Sequence, residues 1–156
     1  MDSIPHGQSL PPIMPEPPAK AIHLCAVTIG PRACQDALDA CRFFVGSADV
    51  GAIGDKLAIL VEELVMNLVD HAGLPPEDRI DLRFFAHDDG VRLVIEDGGR
   101  PFDPRDAAAP HDPDRIGGAG LHMLARWARI EAYDRIGQRN RLRLLVPVVA
   151  ATPPPR

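Results

Sequence analysis

Residues 91–104 read Val91-Arg-Leu-Val-Ile-Glu96-Asp97-Gly98-Gly99-Arg100-Pro101-Phe102-Asp103-Pro104: an apolar run that ends in an acid, two glycines and two prolines. Val91 to Glu96 alternates and branches like a strand. An acid at the carboxyl end of a strand can accept a hydrogen bond from the amino group of adenine. Guanine carries a carbonyl at that position, so Asp97 selects a base by what it cannot accept. Gly99 allows close backbone approach to such a base. Pro101-Phe102 stiffens the exit and offers an apolar contact. Taken alone, Asp-Gly after a strand is an ordinary turn, and the surroundings have to decide.

Immediately upstream, Ile80 to Ala86 is a second β-rich run. His87-Asp88-Asp89-Gly90 joins the two runs with the Asp-Gly signal of a tight hairpin. Further out, Ala21 to Ile29 reads as a strand broken by Gly30-Pro31. Ile130 to Tyr133 and Leu142 to Val149 read as a final antiparallel pair, turning around Gly137 and Asn140. Three helical patterns fall between the strands: Arg32 to Val45, Asp55 to Ala72 and Leu121 to Ala128. The longest is closed by Gly73 and Pro75-Pro76. Helices inserted along a mixed, mostly antiparallel sheet and gathered on one face give a two-layer α+β sandwich.

The 156 residues fit one domain with tails. Residues 1–20 are proline-rich and favour extended, solvated backbone; 21–149 form the domain; 150–156 are a short tail with Pro153-Pro154-Pro155. A hydrophobic fraction of 46% supports a real core, and with aromatics at only 4% that core is aliphatic. A net charge of -5 argues against direct binding of nucleic acid, which needs a basic face. The basic residues between Arg126 and Arg143 fit a solvated face or a docking site for an acidic protein. Cys25, Cys34 and Cys41 form no CxxC pair and fit reduced thiols in the cytoplasm. No secretory signal is seen, and no apolar stretch is long enough to span a membrane. Outside the long helix, His6, His23, His87, His111 and His122 lack metal-ligand spacing.

On the Asp55–Ala72 helix, Leu57, Val61, Leu64, Val65 and Leu68 form an apolar arc at 100° per residue. Lys56, Glu63, Asn67 and Asp70 form the opposite stripe, with His71 at its edge. Glu63 and Asn67 are four apart and therefore neighbours. A solvated amphipathic face is the plain explanation. The chemical one is that Mg²⁺ carried by ATP needs only one or two protein oxygens, and an amide oxygen supplies one without adding charge. A carboxylate one turn away can take the proton of a hydroxyl attacking the γ-phosphate.

Gly117-Gly118-Ala119-Gly120-Leu121 precedes the third helix. Glycines let backbone N–H groups converge on a phosphate at a helix N-terminus. The block has no Gly-Lys-Ser/Thr and no strand leading into it, so it is neither a Walker loop nor a dinucleotide fingerprint. Phe102 to Ile116 lacks periodicity and has the length of a lid or binding segment.

In this order the three motifs Glu63-Leu-Val-Met-Asn67, Asp97-Gly-Gly-Arg-Pro-Phe102 and Gly117-Gly-Ala-Gly-Leu121 resemble the histidine-kinase-like ATPase superfamily. Asn67-Leu-Val-Asp-His71-Ala72 and Asp97 to Pro104 resemble its anti-sigma-factor kinase branch. The resemblance implies Glu63 as general base, Asn67 as the Mg²⁺ ligand, and ATP contacts from Asn67, Asp97, Gly99, Gly118, Gly120 and Leu121. It further implies a cytoplasmic protein-serine kinase that binds a sigma factor and phosphorylates an anti-anti-sigma antagonist. A homodimer is compatible with it. The chain departs from related proteins at Trp127-Ala128-Arg129, where a Met-Asp-type step is common, which bears on the partner surface. Two other classes stay open: a non-catalytic nucleotide-binding switch, and the ATPase fragment of a sensor kinase.

Overall fold

The computed structural model describes residues 18–105 and 118–148, with only the backbone described for 118–122. The chain runs β1 (Ala21–Thr28), α1 (Ala33–Ala48), α2 (Ile53–His71), β2 (Arg79–His87), β3 (Gly90–Asp97), α3 (Gly118–Trp127), β4 (Arg129–Ile136) and β5 (Arg139–Pro147). The sheet order is β1-β2-β3-β5-β4 and every pairing is antiparallel. The expected α+β sandwich is therefore the observed one, with no parallel pair among the described strands. No described helix is long and apolar enough to cross a membrane.

Strand alternation places the core. On the helix-covered face, register aligns Ala86, Val91 and Val146, and then Phe84, Leu93, Leu144 and Ile130. The next row is Leu82, Ile95, Leu142 and Tyr133. Phe84, Leu82, Leu93 and Leu144 are fully buried, and burying each such side chain stabilises the fold by roughly 1.5–3 kcal/mol. The helices contribute Phe44, Leu57, Leu60, Val61 and Val65, all buried. Leu60 extends the predicted apolar arc of α2, whereas Leu64 and Leu68 pack against the core while half-buried. Phe44 stacks on Phe84 with ring centroids 5.2 Å apart.

One row further toward the end of the sheet the apolar pattern continues through Val27 and Ile80 of β1 and β2 but stops on β3, β5 and β4. Asp97, Asn140 and Arg135 are aligned there by register. An aliphatic core thus ends in a polar edge on the same face, beneath the C-terminal end of α2.

Two local readings are corrected. The third helix begins at Gly118, not Leu121, so Gly118 and Gly120 lie in its first turn. The first N–H groups of a helix have no intrahelical partner, so glycines there keep free donors even though helical. Asn140 belongs to β5 rather than to the turn, because the reversal takes only Gly137 (φ 60°) and Gln138. The proposed tails fall mostly on 1–17 and 149–156, which lie outside the described residues, as do 106–116 of the expected lid and Gly117 of the glycine motif.

Candidate functional site

The polar edge row is a connected network. Asp97 is 5% exposed, and its Oδ1 accepts the Gly99 N–H at 2.8 Å and the Asn140 Nδ2–H at 3.1 Å. Asn140 Nδ2 also donates to the carbonyls of Gly99 (3.2 Å) and Arg100 (2.9 Å). Its Oδ1 accepts from the Tyr133 hydroxyl and from Arg135 Nη1, each at 2.7 Å. Arg135 Nη1 donates in addition to Gly99 O at 3.0 Å, and the Tyr133 oxygen accepts the Phe102 N–H at 3.0 Å. Donors on one side and acceptors on the other assign the amide orientation of Asn140 without ambiguity.

The consequence is a carboxylate with one oxygen used and one free. Among the described residues, Asp97 Oδ2 has no hydrogen-bond partner. That oxygen is not sealed from solvent, so it can accept from a ligand. The amino group of adenine is a donor of the right kind, and the carbonyl of guanine is not.

The two glycines after Asp97 are required by close packing. A Cβ on Gly98 would lie 2.2 Å from Asp78 Oδ2, and one on Gly99 would lie 2.7 Å from the Ala72 Cβ. Asp78 is in turn held by Arg139 Nη1 at 3.1 Å. Gly99 therefore lets the loop touch the residue that caps α2, and Arg100 locks that contact. Its N–H donates to Ala72 O at 2.9 Å, and its Nη2 donates to His71 O. A guanidinium on the last carbonyls of a helix also favours the helix dipole.

This pinning brings the first two motifs together. Asn67 lies five residues before Ala72, about 7.5 Å along the axis, and Glu63 one further turn away. Both are half-buried, and among the described residues neither side chain has a hydrogen-bond partner. Lys56, two turns before Glu63, lies 6.0 Å from the Trp127 ring centroid at the end of α3, a cation–π distance. Asp70 and His71 are exposed. Three polar groups thus remain open along the C-terminal half of α2 and at the end of β3 beside its cap: a carboxylate for a base, an amide and a second carboxylate. Hard oxygen donors of this kind suit Mg²⁺, and open donors and acceptors suit a nucleotide.

For the third motif, Gly118 and Gly120 sit in the first turn of α3, while Gly117 and the Leu121 side chain lie outside what is described. Near the start of the expected lid, the Asp103 carboxylate accepts Arg105 Nη2 at 2.6 Å; that hydrogen bond holds the carboxyl below its usual range.

Asn140, Tyr133, Arg135 and Arg100 hold the Asp97 loop through hydrogen bonds, and motif reading alone passes over them. Parity carried the missing signal. In β5 the residues Asn140, Leu142, Leu144 and Val146 share one face, so an amide at the end of an inward row has to serve a buried polar partner.

A family model for the histidine kinase-like ATPase domain matches residues 32–146. Comparison with curated proteins returns no match. The matched span runs from the start of α1 almost to the end of β5 and contains Glu63, Asn67, Asp97 and the glycines of α3, so the chain belongs to the histidine kinase-like ATPase domain family.

Proposed function

We propose that the protein is an ATP-binding anti-sigma regulatory factor that also phosphorylates a serine of an anti-anti-sigma antagonist, switching partners in the cytoplasm. One observation carries the nucleotide part: Asp97 is buried, its Oδ1 is fixed by Gly99 and Asn140, and its Oδ2 is left open. The anti-sigma part is supported by the way two branch-specific motifs interlock. Ala72 of the first sits against Gly99 of the second, and Arg100 ties them. A larger residue at either 72 or 99 would separate the helix from the loop.

Each residue has a defined task. Asp97 accepts from the adenine amine. Gly99 seats the loop against Ala72 and gives its N–H to Asp97, which holds that carboxylate for the base. Asn67 would hold the Mg²⁺ through its amide oxygen, and that ion supplies charge neutralisation to the phosphates when bound. The N–H groups of the first turn of α3, at Gly118 and Gly120, would receive phosphate oxygens. Glu63 accepts the proton of the serine hydroxyl as that oxygen attacks phosphorus. Positioning and charge stabilisation do most of the work in such transfers.

The test is to incubate the protein with Mg²⁺-ATP and a candidate antagonist and to map phosphoserine on the antagonist. Transfer to one serine is expected. Tight ATP binding with no transfer to any antagonist would replace the kinase by a non-catalytic switch. Equal affinity for ATP and GTP would remove the role of Asp97.

A further inference from the structure

The open face of α2 is not made like a solvated one. At 100° per residue, Ile59, Glu62, Glu63, Met66 and Asp70 share an arc of about 100°, opposite the buried Leu57 and Val61. Ile59 and Met66 lie near the middle of that arc and are 38% and 40% exposed. Polar side chains normally fill such positions, and a lone exposed apolar residue needs no explanation. These two are not scattered singly. Ile59 stands one turn before Glu63 and Met66 within one turn after it, about 6 Å and 4.5 Å along the axis.

Charge on this face is unbalanced as well. The side chains of Glu62, Glu63 and Asp70 have no ion pair or hydrogen-bond partner among the described residues. On α1, by contrast, Arg32 stands beside Asp36 and Arg42 beside Asp39. α2 has no arginine, and its one lysine, Lys56, lies at the Trp127 ring of α3. On the other flank, burial first and then the charges of Glu62 and Asp70 push the Cys34 thiol of α1 up. The strip therefore runs between α1 and α3, apolar and acidic at once, and passes the proposed base.

We propose that this strip seats the phosphate acceptor: Ile59 and Met66 receive apolar side chains on either side of the antagonist's serine, and Glu62 and Asp70 attract basic residues beyond them. This rests on the reading of Glu63 as the base, and names what that base is offered. In the transfer the serine Oγ bonds to the γ-phosphorus of ATP, the bond from that phosphorus to the ADP oxygen breaks, and the serine proton passes to Glu63. The serine oxygen must then stand within hydrogen-bond reach of Glu63. With the phosphates on the α3 side, the rest of the acceptor has to cross the open face of α2. An extended chain advances about 3.3 Å per residue, so residues about two before and two after the serine come level with Ile59 and Met66. Side chains two apart on such a chain point the same way as the serine, toward α2. Water gains nothing from Ile59 and Met66, so the strip favours a protein acceptor over hydrolysis.

Steady-state transfer from Mg²⁺-ATP to the antagonist that accepts phosphate tests it, with Ile59→Ser and, separately, Met66→Ser. Each should raise the KM for the antagonist roughly tenfold and leave kcat and the KM for ATP unchanged. Asp70→Lys should raise the same KM and weaken its dependence on salt. Val148→Ser removes an exposed apolar side chain at the far end of the sheet and should change nothing. The mapped phosphoserine should have an apolar residue within about two positions on each side. If one serine variant fails to fold, the other decides. Full transfer by the parent, with an unchanged antagonist KM in both serine variants, overturns the proposal and leaves the kinase reading standing. A fall in kcat alone also overturns it, because the two residues would then serve Glu63 and not the acceptor. Absence of transfer from the parent to any antagonist removes the kinase reading itself, and the acceptor strip with it.

Discussion

Glu96 and Asp97 are adjacent on β3, and their carboxylates meet opposite fates. Glu96 points to the face without helices, where its Oε1 accepts from Arg83 Nη2 at 2.9 Å and Arg141 Nε at 2.7 Å. Two rows away, Glu131 is bound by Arg92 at 2.9 Å and Arg143 at 3.3 Å, and Arg92 is also held by Asp89. The bond to Asp89 above all, with that to Glu131, raises the Arg92 pKa against the opposing effect of burial, and the bond to Arg92 pushes the Asp89 carboxyl below its usual range. These acids are sealed by arginines, and Val94 and Leu145, which register sets opposite Arg83, Arg143 and Arg92, are buried. Asp97 points to the helix face. It meets no cation: its bonds come from a backbone N–H and an amide, and one oxygen is left over. Two carboxylates one residue apart thus separate into structure and site. Sealing, more than burial, distinguishes them, since Glu96 is 9% exposed and Asp97 5%.

The sharpest way to break this comparison is to neutralise an open acid and a sealed one in turn. Glu63→Gln keeps the shape of the α2 stripe and removes the proposed base. Phosphoryl transfer should fall by roughly 10²–10⁴ while ATP still binds. Glu131→Gln should leave the transfer rate unchanged. Radiolabel transfer to the antagonist reads both. An unchanged rate in the Glu63 variant would return Glu63 to the solvated face of a helix.

Next in size is Asp97→Asn. An amide can turn its nitrogen toward the base and offer a donor where the carboxylate offered an acceptor. A hydrogen bond to a charged group contributes about 1.5–3 kcal/mol, so ATP affinity should drop about tenfold to a hundredfold. The gap between ATP and GTP should narrow or reverse. Calorimetric titration with both nucleotides distinguishes loss of preference from loss of fold.

How much of this was legible in the sequence follows from where each signal resides. The Asp97 motif and the Glu63–Asn67 stripe are local, spanning a few residues, and chain order alone placed them at a strand end and on one helix. The architecture was readable because apolar alternation on Leu82, Phe84, Leu93 and Leu144 is strong. What could not be read is non-local. The Asn140 network joins residues 97, 99, 100, 102, 133, 135 and 140 through strand register, and register depends on which residues the turn consumes. Placing Asn140 in the turn hid it. The start of α3 was misplaced for a different reason: glycine is a poor helix former, but at a first turn its penalty is small beside the packing of the helix that follows.

Asn140→Leu tests the network itself. It removes five hydrogen bonds and leaves the Tyr133 hydroxyl, Arg135 and the Gly99 carbonyl each short of a partner. Half-satisfied polar groups cost about 1–3 kcal/mol where they stay buried. The variant should lose stability on that scale in urea and also bind ATP more weakly, because Asp97 loses the donor that orients it. Weakened stability with full ATP affinity would mean that Gly99 alone fixes the acid.

The smallest effect is expected from Glu96→Gln, and it is the control on which the comparison rests. Glu96 is nearly as buried as Asp97, so an account based on burial predicts similar damage. An account based on sealing predicts otherwise. The glutamine oxygen can still accept from Arg83 or Arg141, and both arginines are partly exposed, so water can take over what the carboxylate releases. Ion pairs with that much solvent contact contribute about 0.2–1 kcal/mol. Urea midpoints should shift by no more than that, and the shift should shrink in high salt as the parent's own pair is screened. ATP affinity should not change, because nothing on that face reaches the helix side except through the backbone. A large fall in ATP affinity for Glu96→Gln would show that the two faces are coupled through β3, and the division between sealed and open acids would fail.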